Sequence, residues 1–160
     1  MRYRGWVIGA LLVLAATSAL ARDMTPRQVA DAYVAAWNAH DPDAAAALMA
    51  DDVTYLDATV GEPQKGREAA RDKVIKLFVT TAPDPTWKMT SEPIESANGI
   101  AYEWTFAGTN TGAWGPDSPA TNKSFSFNGV TFMRVENGKI TYQGDYYDSL
   151  GFQKQLGWIQ

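Results

Sequence analysis

Apolar residues recur at three- and four-residue spacing through the first half of the chain and at two-residue spacing through the second. That change of period predicts helices first and strands afterwards. Thr25-Pro26-Arg27-Gln28 has the form of a capping box with proline at the first helical position. The helix it opens carries Val29, Ala32, Tyr33, Ala36 and Trp37 on one stripe and stops around Asn38-Ala39-His40. Asp41-Pro42 repeats the cap-and-proline signal and starts a short alanine-rich helix to about Met49. Asp52–Asp57 alternates Val53 and Tyr55 against Thr54 and Leu56, the pattern of a strand. Beyond a loop at 61–66, a third helix places Ala70, Val74, Leu77 and Phe78 on its buried stripe, and Asp84-Pro85 ends it.

The remainder reads as strands. Trp87–Glu95 is one, bulged or at an edge because of Pro93. Asn98-Gly99 marks a tight turn, after which Ile100, Tyr102, Trp104 and Phe106 alternate with Ala101, Glu103 and Thr105. The thirteen residues Asn110–Asn122, rich in Gly, Pro, Asn and Thr, form a long loop of the kind that serves as a lid or a flexible tip. Strands Lys123–Val135 and Lys139–Tyr147 follow, joined by Asn137-Gly138, and an amphipathic helix Ser149–Leu156 closes the chain. Helices followed by a meander of strands predict one α+β domain, with helices on one face of an antiparallel sheet.

The first residues change the picture of where the domain works. Arg2 and Arg4 precede an uncharged run from Trp6 to Ala16, and Ala19-Leu20-Ala21 presents a signal-peptidase site. Residues 1–21 are therefore expected to be a signal peptide and 22–160 the domain, exported to the periplasm or secreted. Cleavage leaves the domain two units more negative than the −4 of the full chain, a poor match to nucleic acid or an anionic membrane. With no cysteine there is no disulfide and no thiolate chemistry, and a single histidine leaves the usual zinc sites unsupplied. No metal or cofactor is expected. Six Trp, seven Tyr and six Phe point to an aromatic-lined cavity as well as a core.

Several segments together resemble a known superfamily. The run from Ala32 to Asp41, including Tyr33, Trp37 and Asn38, resembles the first helix of bacterial ketosteroid isomerases. Ala50–Asp57 followed by Gly61-Glu62-Pro63 and Gly66 resembles the segment that holds their general base. Gly138-Lys139-Ile140-Thr141, Asp145-Tyr146-Tyr147-Asp148 and Gln155-Leu156-Gly157 resemble the ending shared by SnoaL-like cyclases and limonene-epoxide hydrolases. The resemblance implies the NTF2-like cone fold, three N-terminal helices packed on a curved antiparallel sheet, in its SnoaL-like polyketide cyclase and ketosteroid isomerase-like branch. It also implies a homodimer formed through the open sheet face, to which Trp87, Phe125 and Phe127 would add apolar surface.

Matched position by position, Asp57 falls on the isomerase base and Tyr33 on the tyrosine that donates to the substrate oxygen. The second, carboxylic donor of that family has no counterpart on the strand Phe125–Val135. Against the epoxide hydrolases, Tyr55, Asp57 and Asp145 fall on the residues around the attacking water, but the Arg-x-Asp pair is absent near Glu103-Trp104-Thr105. Asp145 also suits the acid/base aspartate of the ester cyclases. An aspartate in an apolar cleft loses hydration, its pKa rises, and two carboxyls in one pocket separate into a base and an acid.

The candidate catalytic residues are thus Asp57, Tyr33 and Asp145, with Tyr55, Trp37 and Trp104 against the substrate. Tyr33 lies on the buried stripe, where a packed core tyrosine is the other reading. Asp145 shares a strand face with Thr141, Gln143 and Tyr147; Asp148, on the opposite face, suits a helix cap. The expected ligand is a small hydrophobic carbonyl compound. It would undergo carboxylate-driven isomerisation or cyclisation; the alternative is a non-catalytic small-ligand-binding or dimerisation module, and epoxide hydrolysis ranks below both.

Overall fold

The computed structural model describes residues 24–160. The expected signal peptide, residues 1–21, lies outside the described residues.

Helix α1, Pro26–Asn38, opens on the capping box expected at Thr25. The Thr25 hydroxyl accepts from the Gln28 N–H at 3.2 Å, and the Gln28 carboxamide accepts from the Thr25 N–H at 2.9 Å. Its buried stripe is Val29, Ala30, Tyr33, Ala36 and Trp37, so Ala30 replaces the half-buried Ala32. Helix α2, Pro42–Ala47, is capped by Asp41. Helix α3 consists of Arg67–Ala70, a π-helical turn Arg71–Ile75, and Lys76–Thr81. The wider turn rotates the buried stripe partway along. Ile75 is buried beside Val74 and Phe78, and Leu77, expected on the stripe, is half-buried. Helix α4, Ser149–Leu156, is capped by the Asp148 carboxylate, which accepts from the Gly151 N–H at 2.8 Å.

The strands are β1 (Met49–Asp57), β2 (Gln64–Lys65), β3 (Thr86–Met89), β4 (Ile94–Ser96), β5 (Gly99–Thr109), β6 (Ser124–Glu136) and β7 (Lys139–Tyr147). They form one sheet in the order β2-β1-β7-β6-β5-β3, with β4 also paired to β5. All pairs are antiparallel except β1 with β7. The single strand expected over Trp87–Glu95 is two short ones, β3 and β4. Between them lies Pro93, which has no N–H for a ladder.

The inward sides of the long strands carry Tyr102, Trp104 and Phe106 on β5, Phe125, Phe127 and Thr131 on β6, and Gln143 and Asp145 on β7, all buried. Trp87, Phe125 and Phe127, expected on an open dimerisation face, are instead 5%, 3% and 8% exposed and belong to the core. The outer face exposes Phe132 (52%) and Tyr146 (41%), and the short β4 exposes Ile94 (78%). Strand parity explains the reassignment: Phe127 and Phe132 are an odd number of residues apart and point to opposite faces.

The long connection Asn110–Asn122 is folded onto the body rather than left as a free tip. Asn110 is fully buried, its side chain donating to Pro119 O and Thr121 Oγ1 and accepting from Trp114 Nε1 at 2.8 Å. Thr111 and Gly112 donate their backbone N–H groups to Thr81 O, tying the loop to the end of α3. Trp114 packs edge-on to Phe78, ring centroids 4.5 Å apart.

Candidate active site

Cross-strand register builds the site. Tyr102 on β5 pairs with Thr131 on β6, Thr131 with Asp145 on β7, and Asp145 with Asp57 on β1. Four polar side chains thus stand in one row across the concave face, under the helices. A cavity of about 260 Å³ opens over this row. It is narrow, so a cyclic ligand enters by displacing side chains. Its walls are mostly aromatic, Trp37, Trp87, Trp104 and Phe127 among them. The polar lining consists of Asp57, Asp145, Tyr55 and Tyr147.

Asp145 is 2% exposed and receives three donors. Its Oδ2 accepts from the Tyr55 hydroxyl at 2.7 Å. Its Oδ1 accepts from the Thr131 hydroxyl at 2.6 Å and Gln143 Nε2 at 2.9 Å. Trp104 Nε1 donates to Thr131 Oγ1 at 2.8 Å. An indole N–H can only donate, so the Thr131 proton is left for Asp145. Burial pushes the Asp145 carboxyl up to about 7; the Thr131 and Tyr55 hydroxyls oppose the rise, and the Asp57 charge adds to it.

Asp57 ends β1, where the chain turns. Its Oδ1 accepts from the Thr59 N–H at 2.9 Å, the Val60 N–H at 3.0 Å and the Tyr147 hydroxyl at 3.0 Å. Among the described residues its Oδ2 meets only the Tyr147 hydroxyl, at 3.2 Å, and so keeps lone pairs free. Burial raises this carboxyl to about 6 against the Val60 and Thr59 N–H groups and the Tyr147 hydroxyl. Two adjacent carboxyls titrating near neutrality suit one to take a proton and the other to give one.

Of the six residues selected from sequence, the structure gathers Asp57, Asp145, Tyr55, Trp37 and Trp104 around the cavity. Tyr33 is not among the lining residues; it is fully buried, with its ring edge-on to Trp37 and Trp87. Its hydroxyl stands beside that of Tyr55. The sequence reading did not select Tyr147, Thr131, Gln143 or Trp87. Tyr147 and Gln143 were findable, since they share the Asp145 face of β7. Thr131 joins the site through β6–β7 register, which alternation within one strand does not encode.

A family model described as SnoaL-like polyketide cyclase matches residues 27–156, and the chain belongs to this family. No curated protein matches it in sequence. Among solved structures, a protein of Catenulispora acidiphila with a ketosteroid isomerase-like fold, in complex with trimethylamine, is similar. It has 25% identity and a TM-score of 0.69, over 84% of this chain and 95% of that one. A candidate polyketide cyclase of Pseudomonas putida has 22% identity and a TM-score of 0.71, over 82% and 98%. An NTF2-like protein of Burkholderia thailandensis has 21% identity and a TM-score of 0.69, over 84% and 98%. The NTF2-like fold and the SnoaL-like family expected from the sequence are both found.

Proposed function

We propose that the cavity takes a small hydrophobic carbonyl compound and that its two carboxyls move a proton beside the carbonyl. The carrying observation is the coupled pair: Asp57 with a free oxygen, and Asp145 in register with it and bonded to Tyr55. Asp57 Oδ2 removes the proton on the carbon next to the carbonyl, and the electron pair left behind moves onto the carbonyl oxygen. Tyr55 donates to that oxygen and Asp145, in its protonated form, donates in turn to Tyr55. Tyr33 stands beside Tyr55 without a hydrogen bond to it. Return of the proton to another carbon completes an isomerisation; attack of the enolate carbon on a second carbonyl closes a ring. Both outcomes fit the family, and the electrostatic support resembles an oxyanion hole.

The test is hydrogen–deuterium exchange at the α-carbons of cyclopentanone in D₂O, followed by mass spectrometry. Asp57→Asn keeps the shape and removes the base, lowering the exchange rate about 10²–10⁴-fold. Equal rates for wild type, Asp57→Asn and Asp145→Asn would end the proton-transfer reading.

A second reading is a non-catalytic binding module for a small amine. Aromatic walls and two carboxylates, with no Lys, Arg or His among the lining residues, suit a cation. The trimethylamine in the Catenulispora acidiphila protein supports it. Calorimetric titration with trimethylammonium chloride at pH 8 distinguishes the two readings, since only the amine reading expects tight binding without exchange. We also propose export by removal of residues 1–21, which N-terminal sequencing at Arg22 would establish.

A further inference from the structure

Asn38 and Trp87 are joined by two hydrogen bonds. The Asn38 side chain donates to Trp87 O at 2.8 Å and accepts from the Trp87 N–H at 2.8 Å. This clamp fixes β3 to the end of α1 at the residue whose ring enters the cavity wall. The Trp87 ring is then held edge-on by Tyr33, Trp37, Trp104 and Phe106. Trp87 is 5% exposed and its Nε1 finds no acceptor among the described residues. Such an N–H, buried and able only to donate, is costly unless something accepts it.

The other unpartnered polar atoms of the interior differ. Tyr33 Oη stands beside Trp37 Nε1, itself unpartnered, and the Tyr55 hydroxyl, and Tyr102 Oη beside Thr131 and Gln143, whose Oε1 is also unpartnered. Each has a polar neighbour into which a small rotation turns it. Trp104 Nε1, the third indole of the wall, is taken by Thr131. Among the described residues, Trp87 Nε1 is then the indole of the cavity wall left for a ligand.

We propose that the Trp87 indole N–H is a donor to the substrate's carbonyl oxygen, complementing Tyr55 and serving where this chain has no second carboxylic donor on β6. The assignment rests on the carbonyl reading of the site and narrows it to ligands with a hydrogen-bond acceptor. An indole N–H repels a cation, so it also weighs against the amine reading.

The experiment is a ¹H–¹⁵N titration of the indole resonances with cyclopentanone, and in parallel with methylenecyclopentane, which has the same ring and no oxygen. In the wild type the Trp87 Nε1–H resonance moves downfield with cyclopentanone and not with methylenecyclopentane. Trp87→Phe keeps an aromatic ring in the wall and weakens cyclopentanone binding about threefold to tenfold, leaving methylenecyclopentane unaffected. The wild-type titration stands alone should Trp87→Phe not fold. A stationary Trp87 resonance while other cavity signals shift overturns the assignment. So does unchanged affinity in Trp87→Phe, or a wild type that binds no cyclopentanone. Binding with the Trp87 shift but no deuterium exchange overturns the proton-transfer reading alone.

Discussion

In the proposed mechanism Asp57 and Asp145 work as a pair: both are buried, and the Asp57 charge acts on Asp145. Their apparent pKa values near 6 and 7 belong to the pair. With Asp57 as base and Asp145 as acid, exchange follows a bell in pH with its top between about 6 and 7. Asp145→Asn removes the alkaline limb and Asp57→Asn removes activity, as a pH–rate profile would record. The same shifts act on stability. Both folded pKa values lie above the unfolded carboxylate value, so the native state binds more protons between about pH 4 and 7. The stabilisation from these carboxyls is complete below about pH 4 and is lost as the pH rises through about 6 and 7. Thermal melts of Asp145→Asn should therefore gain on wild type at pH 8, the reverse of the usual behaviour of a paired surface aspartate. Thr131→Val would leave Trp104 Nε1 and Asp145 Oδ1 each one partner short, costing about 1–3 kcal/mol in denaturant unfolding. The two aspartates were legible in the sequence because they fall on acidic positions of the families it resembles, and Asp145 also shares a strand face with Gln143 and Tyr147. The Thr131 link was not, because its partners come from β5 and β7 and meet only through register.

Among the elements, β6 owes its part in the site to a missing side chain. Gly129 pairs with Trp104 across β5 and β6, and a Cβ there would lie 2.4 Å from the Trp104 ring. The bare backbone lets the indole lie across β6 and reach Thr131. Gly129→Ala should push Trp104 off Thr131 and free that hydroxyl from its fixed direction, so the Trp104 indole resonance and the alkaline limb of the pH profile should shift together. An Ala variant with both unchanged would refute the link. Helix α3 shows a different limit of sequence reading. Its Ala70-to-Phe78 spacing is compatible with a regular helix, and nothing in Arg71–Ile75 announces the π turn that buries Ile75. The loop 110–122 has the composition of a flexible tip, yet one buried asparagine and two tryptophans fold it back. The Trp158 indole also donates to Pro119 O at 2.9 Å. Composition registers the turns of such a loop and not the distant groups that receive it.

At the scale of the whole molecule, the two faces of the sheet are chemically opposed. The concave face is a nest of rings around two carboxyls; the convex face carries an apolar strip through polar surroundings. Ile94, Ala101, Phe132 and Gly144 are cross-strand neighbours in one row over β4, β5, β6 and β7, and Val130 pairs with Tyr146 in the same region. The α+β class, the order of the elements and the family were legible because period changes and caps are local signals. Which face of the sheet is open was not, since alternation gives two faces and only packing against the helices decides between them. Phe132 is therefore the residue on which to test self-association. We propose a homodimer in which this strip meets its copy, the isologous arrangement that one patch provides by itself. A stable dimer needs about 800 Å² per partner, and Arg134 and Tyr142 flank the strip. Phe132 is 52% exposed, so Phe132→Glu costs the single domain little while placing a charge against its own copy at the centre of the contact. Multi-angle light scattering should give twice the chain mass for the wild type and the chain mass for Phe132→Glu, with an unchanged circular-dichroism spectrum. A wild type that stays monomeric at tens of micromolar, or a Phe132→Glu variant that stays dimeric, would remove this face from consideration.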